Sequence, residues 1–272
     1  MNYTKITIAT DSSENKELLI ALLSDAGYEG FEETEQQLLA YTAEEAYDEA
    51  MLQGILSLVA VSFSAEIVTP RNWNEMWETD IEPVVVDGFC TIRTHFHTIE
   101  VATPYDIVIT PKMSFGTGHH ATTQLMMLGM KDVDFANKSV IDFGTGTGVL
   151  AILAGMLGAT DITAIDNDEW SVSNATENMI RNNRERVAVA RASLEDLPKR
   201  QYHIILANIN RHILLQYLPD MYELLFDGGL LLMSGLLIAD EQLVADAADA
   251  AGFSVKLVSE RNGWISIKVV KP

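Results

Sequence analysis

Three glycines at alternate positions, Gly144, Gly146 and Gly148, lie in the stretch Ser139-Val140-Ile141-Asp142-Phe143-Gly144-Thr145-Gly146-Thr147-Gly148-Val149-Leu150. Glycine lets backbone come close to a ligand because no Cβ intervenes. The apolar run before the turn reads as a buried strand closed by an acid, and the run after it as the first turn of a helix. Such a turn is expected to aim helix N–H groups at the polar end of a ligand. A dinucleotide fingerprint, G-x-G-x-x-G, needs its third glycine where this chain has Val149. With no evident hydride-transfer residue either, a nicotinamide oxidoreductase is disfavoured.

Other residues can join this turn. Asp166 ends the next strand pattern, 22 residues beyond Gly144, at the separation expected of an acid that accepts from both hydroxyls of a ribose. Its plainer role is a helix cap, but Asp168 fills that role better. Ala192-Ser193-Leu194, followed by Glu195 and Asp196, either lines a ligand pocket or is a plain connection. Asn208 closes the apolar run Ile204-Ile205-Leu206-Ala207, where an amide needs a partner. It either serves the site or caps the helix that begins near Arg211. Met113-Ser114-Phe115-Gly116-Thr117-Gly118-His119-His120-Ala121-Thr122-Thr123 is glycine-rich and polar, and a helix pattern follows it. It could cover a nucleoside while Thr122 or Thr123 bonds the ligand. His119 and His120 lack a third ligand at sensible spacing, and His95 and His97 read as packing or surface on one strand face, so no metal is expected.

The elements that must position these groups follow from periodicity. Strand patterns at 139–142, 161–165, 187–191, 202–207, 229–234, 253–259 and 264–270 alternate with helical stretches at 148–157, 169–182, 211–225 and 239–251. This alternation predicts a doubly wound α/β sheet of seven strands, its last two antiparallel across the Glu260-Arg261-Asn262-Gly263 turn. Ligands of such sheets lie beyond the carboxyl ends of the strands, where these residues fall. Segments 89–94 and 106–110 alternate like antiparallel strands. Residues 1–68 read as β-α-β-β-α-β, a small ferredoxin-like α+β domain. Its second helix is expected after Thr42 and its closing strand over 57–67. A linker spans 69–85, with Trp73 and Trp77 spaced to dock it on a domain or, less simply, to form part of a substrate wall, and the larger domain runs over 86–272.

Composition narrows the partners. The 272 residues carry 39 acids and 18 bases, a formal charge of −21. Such a surface repels phosphate backbones, and it either favours encounter with a basic macromolecule or, the plainer reading of charge alone, serves only solubility. The first 60 residues hold 12 acids and 2 bases. A single cysteine, Cys90, excludes an internal disulfide and fits a reducing compartment. No signal-peptide core or membrane span is evident, so a soluble, cytoplasmic chain is expected.

Together these residues resemble the PrmA family of ribosomal protein methyltransferases, which modify the eleventh protein of the large ribosomal subunit. The 113–123 run resembles that family's characteristic segment, Asp142–Leu150 its donor loop, Ile165–Asp168 its ribose-binding acid and Ala207-Asn208-Ile209 its Asn-Ile-Leu motif. The resemblance implies a Rossmann-like class I methyltransferase domain using S-adenosylmethionine, with Thr123, Gly144, Gly146, Asp166 and Asn208 at the donor. It implies methyl transfer to amino groups of a basic ribosomal protein, which the N-terminal domain recognises, by a monomer without nucleic-acid or membrane partners. No catalytic residue is singled out. Asn210 departs from the apolar residue usual in that family. Alternatives are a class I methyltransferase for another protein or small-molecule amine, and a non-catalytic nucleoside-binding, ribosome-associated module.

Overall fold

The computed structural model describes residues 3–28, 30–34, 36–59, 61–68, 82–112 and 114–272. The chain divides into two compact units, Met1–Met76 and Trp77–Pro272. Most of the expected linker, including Trp73 and Trp77, lies outside the described residues. Its last two residues, Val84 and Val85, instead begin the strand Val84–Val86.

The first unit runs β1 (Tyr3–Ala9), α1 (Ser13–Asp25), β2 (Gly30–Glu33), β3 (Gln37–Ala43), α2 (Glu49–Leu56) and β4 (Phe63–Val68). Its antiparallel sheet has the order β2-β3-β1-β4, the expected ferredoxin-like arrangement. Ile6, Ile8, Leu38 and Ala40 alternate onto one face, where Leu19, Leu23, Leu52 and Leu56 of the helices bury them. Two boundaries differ from expectation. β3 stays paired with β1 through Ala43, and α2 waits for Asp48, whose carboxylate caps it by accepting from Ala50 and Met51 N–H. Ser57–Val59 still bond back into the end of α2, so β4 starts later, at Phe63.

The second unit begins, among the described residues, with β5 (Val84–Val86), β6 (Cys90–Thr94) and β7 (Tyr105–Ile109). β5 and β6 form a hairpin, but β6 and β7 pair in parallel, correcting the antiparallel expectation. Residues 95–104 are long enough to carry the chain back to the start of the sheet before β7 begins. His95 and His97 therefore lie past the strand end, where His97 Nδ1 sits 2.8 Å from Thr94 Oγ1.

The main sheet is built from β8 (Ser139–Phe143), β9 (Asp161–Asp166), β10 (Ala188–Arg191), β11 (Tyr202–Asn208), β12 (Leu225–Leu237), β13 (Ser254–Arg261) and β14 (Trp264–Val270). The order is β10-β9-β8-β11-β12-β14-β13, with only β14 antiparallel to its neighbours. α3 (Ala121–Met130), α4 (Val149–Met156) and α5 (Glu169–Arg181) supply Met126, Ile152 and Met179 to the core on one face. α6 (Arg211–Glu223) and α7 (Glu241–Ala250) supply Leu214, Leu218 and Val244 on the other. The chain leaves β8 towards one edge and returns at β11 to build the other. This switch opens a crevice at the carboxyl ends of β8 and β11.

Candidate functional site

The crevice is a cleft of about 370 Å³ whose walls include Phe115, Gly144, Gly146, Asp166, Asn208 and Tyr217. Four of the five expected donor residues therefore meet there. Thr123 is fully buried in the first turn of α3, and Asn208 Nδ2 lies 3.5 Å from its hydroxyl. Thr122 instead pairs with His120, whose Nδ1 lies 2.8 Å from Thr122 Oγ1 and caps α3. Of the two threonines, Thr123 faces the site's amide.

The glycine turn is shaped by what it must pass. Gly146 has a φ of 54°, and a Cβ there would run into the Phe115 carbonyl oxygen. Thr147 fastens the same segment, its N–H donating to Phe115 O at 2.9 Å and its hydroxyl to Gly116 O at 2.7 Å. The 114–118 segment is thus bonded to the turn.

The turn does not aim its N–H groups at a ligand, as the sequence suggested. Gly144 and Thr145 N–H donate to Ile165 O, Gly146 N–H to Asp166 Oδ2, and Gly148 N–H to Thr145 O. In the first turn of α4, Ala151 N–H donates to Asp142 Oδ2 at 3.2 Å. A phosphate would need such groups free. The arrangement instead suits a ligand whose charge at this point is positive, since the helix end is occupied by a carboxylate.

Asp142 and Asp166 provide that negative charge. Burial pushes the Asp142 carboxyl up to about 6, against the lowering effect of bonds from Thr145 Oγ1 and Ala151 N–H. Asp166 Oδ2 takes Gly146 N–H at 3.0 Å and Oδ1 takes Asp168 N–H at 3.1 Å. A carboxylate has about four acceptor positions, so each oxygen retains one for a ligand hydroxyl. Asp168 caps α5 by accepting from Ser171, which releases Asp166 from that role.

Asn208 stands at the end of β11 with Oδ1 buried and unpartnered. The capping of α6 falls to Asn210, whose Oδ1 accepts from Ile213 N–H at 3.3 Å.

The sequence reading missed the apolar wall. Phe143 packs edge-to-face on Tyr217 with ring centroids 5.4 Å apart, and both line the cleft with Ile209 and Ile213. Tyr217 is held by its hydroxyl donating to Glu195 Oε1 at 3.2 Å, while Asp196 accepts from Ser193 N–H in the same loop. The available signal was the pair Ile213 and Tyr217, four residues apart on the helix that follows Asn208. Among the described residues, no group of three His, Cys, Asp or Glu side chains is placed to hold a metal ion.

Comparison with known proteins agrees with this geometry. The family model for "Ribosomal protein L11 methyltransferase (PrmA)" matches residues 2–272. Proteins with that name from Phocaeicola vulgatus and Chlorobaculum parvum are 34% and 38% identical. The first alignment covers 99% of each chain, and the second covers 97% of this chain and 95% of the relative. The crystal structure of the ribosomal protein L11 methylase from Lactobacillus delbrueckii subsp. bulgaricus superposes with a TM-score of 0.64 at 27% identity. That match covers 70% of this chain and 99% of the other.

Proposed function

The chain belongs to the ribosomal protein L11 methyltransferase family, and from that premise we propose that it methylates amino groups of the eleventh large-subunit ribosomal protein with S-adenosylmethionine. The observation that carries the donor assignment is the meeting of Asp166, Gly144 and Gly146 of the glycine turn and the unpartnered Asn208 Oδ1 in one cleft. These residues fit the donor. Asp166 retains acceptors for the ribose, Phe143 and Tyr217 offer apolar faces for the base, and the glycine turn leaves room beside them. When bound, the donor supplies a methyl carbon on a positively charged sulfur.

The residues of the chain account for the rest. A lysine amine has a reference pKa of ~10.4 and attacks only when neutral. A site that desolvates it beside positive charge favours loss of its proton. Asn208 Oδ1 is placed to accept an N–H of the acceptor, orienting its lone pair away from the amide. Thr123, behind Asn208, holds that amide from the other side. Alignment then supplies most of the rate, and no strong general base is required.

The same reading assigns the acidic N-terminal unit to recognition of the basic substrate, by opposite charge. It places the enzyme in the cytoplasm as a monomer. No helix among the described residues is long and apolar enough to cross a membrane. The test is intact-mass measurement of the purified ribosomal protein incubated with enzyme and donor. Added methyl mass on lysine or the N-terminal amine is expected. Donor binding without any methylation of that protein would instead favour another acceptor.

A further inference from the structure

Asn174 and Asn178 of α5 and Asn182, which caps its C-terminus, lie four residues apart, all buried. Polar residues at this spacing read as a solvated helix face, yet these three close the free edge of β7. Asn182 brackets Val108, its Oδ1 accepting from Val108 N–H at 2.9 Å and its Nδ2 donating to Val108 O at 2.6 Å. Asn178 Oδ1 accepts from Thr110 N–H at 2.7 Å, and Asn174 Nδ2 donates to Thr110 O at 3.0 Å. The repeats match. Four helical residues rise ~6.0 Å and two strand residues ~6.6 Å, so Asn182 and Asn178 meet Val108 and Thr110 in turn, and Asn174 takes the carbonyl of Thr110. The ladder stands in for a neighbouring strand on an edge that would otherwise be unpaired.

One member does more than close the edge. Asn178 Nδ2 donates to Thr147 O at 2.9 Å, inside the glycine turn. We propose that Asn178 is a positioning residue for the methyl donor: by joining Thr110 to Thr147 it holds the glycine turn and the 114–118 segment in their ligand-ready arrangement. This rests on the reading of the cleft as the donor site. The route is short and fully bonded. Thr147 is tied to Phe115 and Gly116, and its neighbour Gly146 is tied to Asp166. Phe115, Gly146 and Asp166 all line the cleft, whereas Asn178 does not. Asn182 is the internal control, because its side chain bonds the same ladder without reaching the turn.

The experiment compares Asn178→Ala with Asn182→Ala in the full-length enzyme. Calorimetric titration with S-adenosylmethionine and S-adenosylhomocysteine gives Kd, and melting temperature gives stability. Both variants should lose stability. Asn178→Ala should raise the donor Kd roughly tenfold, equivalent to ~1.4 kcal/mol, while Asn182→Ala stays within about twofold of wild type. Equal effects, or an unchanged Kd in Asn178→Ala, would overturn the proposal while leaving the donor site standing. Failure of the wild type to bind either ligand would overturn both. Should Asn178→Ala not fold, hydrogen exchange of the wild type decides. Donor should slow exchange of the Thr110 amide, bonded to Asn178, more than that of the Val108 amide, bonded to Asn182. Equal protection of the two would overturn the proposal.

Discussion

Around the donor cleft the carboxylates of Asp142 and Asp166 hold backbone N–H groups of the loops beside them, whereas Glu14, Glu33 and Glu45 of the N-terminal unit lie exposed. The same chemical group therefore has two uses. In the cleft it fixes geometry at short range, where a displacement of a fraction of an ångström matters. On the N-terminal unit, in the recognition role proposed above, it would create a field that a basic partner feels before contact and that salt weakens. The lesson is that the chain's acidity has no single cause, and variants in the two regions should fail in different ways.

The largest expected effect tests the precise side of that comparison. Asn208→Ala removes the buried, unpartnered amide oxygen at the end of β11 and should lower kcat on the order of a hundredfold, the scale of misplacing a reacting group. Single-turnover methylation of the ribosomal protein reads the loss, with donor Kd measured alongside. Unchanged turnover with donor bound would remove Asn208 from the acceptor side.

Reversing charge on the N-terminal unit tests the other side. The triple variant Glu14→Lys, Glu33→Lys, Glu45→Lys should raise KM for the ribosomal protein roughly five- to tenfold at low ionic strength, and less in high salt. Its donor KM should not move. A KM for protein that ignores both substitution and salt would show that the acidic surface serves solubility alone.

A smaller effect separates the buried carboxylate from the exposed ones. The Asp142 carboxyl titrates at about 6 in the folded chain, above the ~3.9 of an unfolded aspartate. Between those values the folded state binds more protons, so this group lowers stability as pH rises from about 4 to about 6. Asp142→Asn abolishes the titration. The melting temperature of the variant minus that of wild type should become more positive from pH 5 to 7.5, measured without ligand. A difference that stays flat across this range would mean that Asp142 is not charged at the expense of stability.

The seven-stranded sheet was legible because its strands are continuous apolar runs and its helices carry apolar stripes. The glycine spacing, Asp166 and Asn208 were legible because each ends such a run. What was hidden depended on backbone partners distant in the chain. Asn174, Asn178 and Asn182 have the period of an exposed face and become interior only because β7 offers unpaired peptide groups. The direction of β7 was hidden by the lack of a helix in its crossover. The N–H groups of the turn were expected to await a ligand, yet Ile165, Phe115 and the two aspartates take them.

The smallest effect concerns two amides two residues apart. Asn210 caps α6 through Ile213 N–H and does not share the role of Asn208. Asn210→Ala should therefore cost about 1 kcal/mol of stability, the usual value of an N-cap. In a chain of this size that lowers the melting temperature by roughly 2–4 °C. Donor Kd and kcat should stay near wild type although Asn210 lines the cleft, since its amide oxygen is taken by Ile213 N–H and Asn208 keeps its own partner in Thr123. A loss of kcat comparable to that of Asn208→Ala would show that the loop acts as one unit. The acceptor site would then extend from β11 into the first turn of α6.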